Sequence, residues 1–210
     1  MARELLSSFV VALPAVFFVV DPFGVVPIFV AITARDPGKG RQVAMRASLV
    51  GCGLLLFFAL FGGLIFKVFA VTLSAFRVAG GILLLITALD MLRGRVSQTK
   101  TSPEEEMEGA QKEDVAVVPL AMPLLAGPGS ITTVMVLMSR GTGIPTANPV
   151  IVSIVLTFVA SYYLLRAAGL VQRVLGQTGV AILQRLMGLI LAAIAAQFVA
   201  EGGRDLIRFQ

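Results

Sequence analysis

The chain contains no histidine and no tryptophan, and its 210 residues include a single cysteine, Cys52. One cysteine forms no intramolecular disulfide and no cysteine-based metal site, and without histidine the commonest general base is missing as well. There is no G-x-S-x-G segment, and no two aspartates share a motif. An enzyme is therefore not expected, nor a cofactor. Charge is also scarce: 14% of residues are charged and 57% are hydrophobic, where a soluble domain has about 25% and 45 to 50%. Such a chain belongs in a bilayer.

What is present is apolar length. Residues 47 to 66 and 115 to 139 carry no charge at all, and about 20 predominantly apolar residues make a spanning helix. Residues 149 to 165 add a third stretch. Residues 72 to 92 and 180 to 201 each hold an arginine near the start, Arg77 and Arg185, whose long side chain can reach the head-group layer. With residues 5 to 34 the count is six spans. The opening "MARELLSSFVVALPAVFF" has the charge and apolar run of a secretory signal, but no A-x-A-like cleavage site follows, so it is read as a retained span.

A net charge of +5 does not call for a nucleic-acid partner if the basic residues gather on one side of a membrane. Eleven of the 17 fall in or beside loops 1–2, 3–4 and 5–6: Arg35, Lys39, Arg41, Arg46, Arg93, Arg95, Lys100, Lys112, Arg166, Arg173 and Arg185. The other six are Arg3, Lys67, Arg77, Arg140, Arg204 and Arg208. The positive-inside rule then predicts a multi-pass protein of the cell membrane with both termini outside.

Two landmarks recur in order. "VVDPFGVVPIF" from Val19 pairs with "LLAGPGSITTVM" from Leu124, matching Pro22 to Pro128 at an offset of 106. "FRVAGGILLL" pairs with "QRLMGLILAA", matching Arg77 to Arg185 and Gly80 to Gly188 at 108. The expected architecture is an all-α membrane protein of six transmembrane helices in two three-helix repeats, 1–93 and 115–210, joined by a hydrophilic cytoplasmic linker over 94–114. An odd number of spans per repeat inverts the second copy. Many secondary transporters are built this way, with the site at the repeat interface and made of discontinuous helices.

The proline segments predict those discontinuities in helices 1 and 4. Asp21 before Pro22 reads as an N-cap followed by a proline at the first helical position. Pro22 withholds a donor from the carbonyl of Phe18, and Pro128 does the same to Leu124. Each break thus offers loose carbonyls from one half-helix and free N–H groups from the next, near Gly24 and Ser130, suited to an ammonium and a carboxylate respectively. Gly24, Gly127 and Gly129 would let a small zwitterion approach the backbone. Two roles stand open for Asp21: a cap alone, or a cap that also holds a ligand or a proton. Simpler roles fit the other residues. Gly80, Gly81 and Gly188 suit close helix packing. Arg77 and Arg185 suit anchors or structural pairs, Asp90 suits a pair with Arg93, and Thr132 and Thr133 suit bonds back to their own helix.

"DPFGVVPIF", "PLLAGPGSITTVM" and the "RVAGG" of span 3 resemble the signature segments of the MarC family of six-span integral membrane proteins, and the resemblance runs through essentially the whole chain. It implies a secondary transporter of small neutral amino acids such as glycine and alanine, working by alternating access. The implied substrate segments are 21 to 24 and 127 to 130. Phe18, Asp21, Pro22, Phe23 and Gly24, with Leu124, Gly127, Pro128, Gly129 and Ser130, form the candidate substrate site. A proton or sodium ion is the candidate coupling ion, the lipid bilayer and a neutral amino acid are the expected partners, and a homo-oligomer is left open. The alternative is a channel-like passive pore for small polar solutes.

Overall fold

The computed structural model describes residues 2–34, 37–94, 116–139 and 144–208, and among these the chain is helical without strands. Helix α1 (Ala2–Val20) and helix α2 (Pro22–Thr33) together supply an apolar span over Leu5–Thr33. Helix α3 (Gly40–Val68) and helix α4 (Leu73–Leu92) follow. Between them Ala70 turns at φ 51°, and Thr72 starts α4 by accepting a hydrogen bond from the Ala75 N–H at 3.2 Å, an N-cap of the usual kind. The expected linker over 94–114 lies, apart from Gly94, outside the described residues.

The second half comprises the segment α5 (Ala116–Leu125), helix α6 (Pro128–Ser139), helix α7 (Ile144–Arg166) and helix α8 (Ala168–Arg208). Among the described residues five helices are long and apolar enough to cross a membrane, or six spans result if the bent pair α5 and α6 counts as one. Two departures from the sequence expectation have local causes. α5 is a wide, irregular coil with Val118 and Met122 in extended geometry, because each precedes a proline, whose ring disfavours helical backbone in the residue before it. α8 begins well before residue 180, and its first turns are set off from the long apolar part at Gly176, where φ is 63°.

Small residues set the helix packing. A methyl group on Gly81 of α4 would come within 2.8 Å of Val199 and 3.0 Å of the Ala195 carbonyl oxygen on α8. One on Gly188 of α8 would come within 2.9 Å of Met91 on α4, and one on Gly202 within 2.8 Å of the Ser74 carbonyl oxygen. These contacts describe one antiparallel register, in which missing side chains let two backbones approach, the main source of helix association where lipid removes the hydrophobic driving force. At the start of α4, Arg77 pairs with Asp205 at 3.2 Å, as a structural partner rather than a free anchor.

Buried apolar side chains fall into two clusters. One joins α1 and α2 to α3, α5, α6 and α7, and the other joins α4 to α8 and takes in Val19 and Val136. Val20 belongs to the first and Val19 to the second, so the end of α1 lies on the seam between them.

Candidate functional site

The turn at Asp21 is built by its own side chain. Its N–H closes α1 on the Phe17 carbonyl at 3.0 Å, and its Oδ1 opens α2 by accepting from the Gly24 N–H at 3.1 Å. Between the two helices Asp21 adopts φ 52° and ψ 61°, the left-handed region that aspartate enters because its short side chain bonds locally. Gly24 follows from the cap, since a methyl group there would overlap the Asp21 carboxylate. The carboxylate itself is buried, at 3% exposure.

The second turn is sharper. α5 and α6 meet at 55°, with Ala126 and Gly127 between them. The Ala126 N–H donates to the Ala121 carbonyl at 2.9 Å, and the Ile131 N–H donates to the Gly127 carbonyl at 3.0 Å. A methyl group on Gly127 would lie 2.6 Å from the Pro123 carbonyl oxygen, and one on Gly129 would overlap Leu84 of α4. Gly24, Gly127 and Gly129, the glycines expected to bare backbone to a ligand, therefore each have a contact inside the protein that fixes them as glycine.

Ser130 joins the two turns. Its buried hydroxyl lies 3.1 Å from the Leu125 carbonyl oxygen at the end of α5 and 3.3 Å from the Val19 carbonyl oxygen near the end of α1. One proton is shared between two acceptors. The carbonyls are one residue beyond those expected at Phe18 and Leu124, and Val19 and Leu125 are themselves 106 residues apart, the offset that relates Pro22 to Pro128.

Beside Ser130 lies a crevice of about 10 Å³, the size of one water. Gly127, Pro128, Gly129 and Ser130 form one side, and Val19, Leu84, Thr87 and Leu191 are among the rest of the lining. Asp21, Pro22 and Leu124 are buried away from the crevice lining, and Phe18 and Phe23 pack around Phe17 with ring centroids 6.2 Å from it. The structure thus gathers the second candidate segment on the crevice, whereas none of Phe18, Asp21, Pro22, Phe23 and Gly24 lines it and α1 reaches it through Val19. Thr87 and Leu191 went unread in the sequence. A hydroxyl within the otherwise apolar "GILLLITAL" was the only available signal, and Thr87 hides it by donating to the Leu83 carbonyl at 3.0 Å. Thr132 likewise bonds back to the Pro128 carbonyl at 2.9 Å, whereas the buried hydroxyl of Thr133 has no hydrogen-bond partner among the described residues. No group of three or more metal-ligating side chains occurs among the described residues.

Comparison with known proteins places the chain. The model of the MarC family of integral membrane proteins matches residues 6–207. A UPF0056 membrane protein of Methanocaldococcus jannaschii is 43% identical over 201 residues, covering 95% of this chain and 97% of its own. The UPF0056 membrane protein YhcE of Escherichia coli is 34% identical, covering 89% of this chain and 87% of its own. YvbG of Bacillus subtilis, of the same description, is 34% identical with 90% coverage of both. No solved structure matches. With its whole apolar framework inside the matched region, the chain belongs to the MarC family of integral membrane proteins.

Proposed function

We propose that this protein is a secondary transporter of small neutral amino acids, of the glycine and alanine class, working by alternating access. The observation that carries the reading is the Ser130 hydroxyl, shared between the carbonyls of Val19 and Leu125. Helix interruptions at membrane depth are tolerated where they are buried in protein or line a wet cavity, and transporters use them as the substrate site. Here two interruptions meet at one hydroxyl, with their acceptors at the offset of the sequence repeat. Reciprocal packing also supports an inverted pair of three-helix units, because Gly81 of α4 rests on α8 while Gly188 of α8 rests on α4.

In this reading α6 presents its N-terminal end, with about half a positive charge, to a substrate carboxylate, and the carbonyls of Val19 and Leu125 receive the ammonium. A crevice of about 10 Å³ holds a water and no amino acid, so the conformation described is closed. Opening must separate Ser130 from Val19. That bond across the seam then acts as a latch whose loss the ammonium compensates. A proton or a sodium ion drives the cycle, and the protein sits in the cell membrane with both termini outside.

Purified protein in liposomes, loaded with unlabelled glycine or alanine and offered the labelled form under imposed proton or sodium gradients, tests the reading. Saturable uptake with counterflow is expected. Uptake that neither saturates nor shows counterflow would describe a passive pore, and no uptake across the neutral amino acids would remove the substrate assignment.

A further inference from the structure

A second feature lies on the outer surface, away from the seam. α3 leads through a short turn into α4, α7 leads into α8, and α4 and α8 lie antiparallel, so α3 and α7 also run antiparallel. Phe158 of α7 lays its ring against Gly51 of α3, where a methyl group would come within 2.6 Å of the ring edge. That contact forms the floor of a groove of about 340 Å³, inside the range of ~300 to 1,000 Å³ in which small-molecule sites fall. Met45, Ser48 and Cys52 line it from α3, and Val155, Phe158 and Tyr162 from α7. Leu49 and Val159, 66% and 46% exposed, form its flanks. The lining is almost wholly apolar, so a zwitterion does not belong here.

Charge and aromatic placement orient an occupant. Arg41 lies four residues before Met45 and Arg166 four residues after Tyr162, so each continues its helix's groove-facing stripe by one turn. Because the helices are antiparallel, both exposed arginines arrive at the same end of the groove, one from each wall. Two guanidinium groups across one mouth suit a phosphate, which their planar forks bind well. Tyr162 and Tyr163, with ring centroids 5.2 Å apart, stand at that end too, the level at which such rings meet head groups.

Ser48 sits inward of Arg41 on the same stripe. It is 5% exposed and its hydroxyl is covered by the protein, so the wall it forms is apolar, as an acyl chain requires. From Arg41 to Cys52 the helix rises roughly 16 Å, about one leaflet of a ~30 Å hydrocarbon core.

We propose that this groove holds one anionic phospholipid, its phosphate between Arg41 and Arg166. One acyl chain runs over Phe158 toward Cys52 and Val155. This site is independent of the transport reading.

The absence of tryptophan supplies the assay, because Val159→Trp introduces a single indole at the groove flank. In phosphatidylcholine nanodiscs, a minor fraction of brominated phosphatidylglycerol should quench that indole more strongly than the same fraction of brominated phosphatidylcholine. R41Q and R166Q should each reduce the preference about fivefold, the value of one basic residue near anionic lipid. Their unchanged quenching by brominated phosphatidylcholine serves as the check on insertion. Phe57→Trp, on the exposed apolar part of α3, should report no head-group preference. Equal quenching by the two lipids at position 159 would reduce the groove to ordinary lipid contact. Quenching by neither would mean that a second copy of the chain covers it. Either result overturns the proposal.

Discussion

Replacing Ser130 with alanine removes one hydroxyl and no other atom, so its effect measures the link between the two turns. The acceptors left behind are the backbone carbonyls of Val19 and Leu125, both residues with almost no exposure. A buried polar group left unsatisfied costs about 1–3 kcal/mol, whereas side-chain hydrogen bonds between membrane helices average about 0.6 kcal/mol. The adjoining crevice has room for one water, which can replace part of the lost bond. The expected destabilisation is therefore about 1 kcal/mol, near the lower end of the first range. Ser153→Ala is the control, because that hydroxyl is equally buried but donates at 2.6 Å to Pro149 of its own helix. Thermal unfolding in detergent can be followed by a thiol-reactive dye, since Cys52 is the sole thiol. Ser130→Ala should cost more than Ser153→Ala. Equal losses would show that the bond across the seam contributes nothing beyond ordinary back-bonding.

Other substitutions probe the surrounding geometry. Gly24→Ala should break the cap it abuts and lower the unfolding midpoint, to an extent comparable with the ~0.5–2 kcal/mol of a lost N-cap; an unchanged midpoint would show the carboxylate free to move aside. Gly129→Val should reduce the yield of folded protein through overlap with Leu84, and Leu84→Ala in the same chain should recover part of it. Arg77→Gln should cost no more than about 1 kcal/mol, because Asp205 is 39% exposed, and the unfolding midpoint reads this directly. In a Cys52→Ser background, an impermeant thiol reagent should label Ser7→Cys and spare Ser102→Cys in intact cells; the opposite pattern would invert the topology.

The six apolar stretches are legible in the sequence because a helix set in hydrocarbon is the setting that excludes charge over about 20 residues at a time. Asp21 as a cap is legible for a related reason, since Asp-Pro sets both the acceptor and the first helical φ locally. Other features depend on tertiary neighbours. The glycines at 24, 127 and 129 read equally well as bare backbone for a ligand or as room for a side chain, and only the positions of Asp21, Pro123 and Leu84 distinguish the two. Thr87 and Leu191 reach the crevice from α4 and α8, which no spacing rule links to residue 130. The irregular course of α5 was within reach. Pro119 and Pro123 each act on the residue before them, but a search for uncharged length passes over both.

Asp21 has two separable tasks, and its backbone conformation sharpens their separation. Asparagine keeps an oxygen acceptor for the Gly24 N–H and enters the left-handed region almost as readily, so Asp21→Asn should unfold at the wild-type midpoint. Asp21→Gly loses the acceptor but fits φ 52° without strain, and a glycine cap costs only a few tenths of a kcal/mol. Asp21→Ala loses the cap, at about 0.5–2 kcal/mol, and also places a Cβ in the left-handed region, at roughly 1–2 kcal/mol more. The expected stability order is Asp equal to Asn, then Gly, then Ala, with a total span of about 1.5–4 kcal/mol. Alanine no worse than glycine would mean that the left-handed turn relaxes and that the cap was not holding it. Function divides along a different line. An ionisable group in a spanning segment is commonly part of a solute or proton path, yet this carboxylate is held by its cap and does not line the crevice. Asp21→Asn removes the charge while leaving the cap, so it should weaken uptake or shift its pH dependence only if the carboxylate leaves the cap during opening. Uptake matching the wild type at every pH would confine Asp21 to turning the chain at the seam, and would leave Ser130 and the backbone carbonyls it bridges as the polar groups available to a substrate.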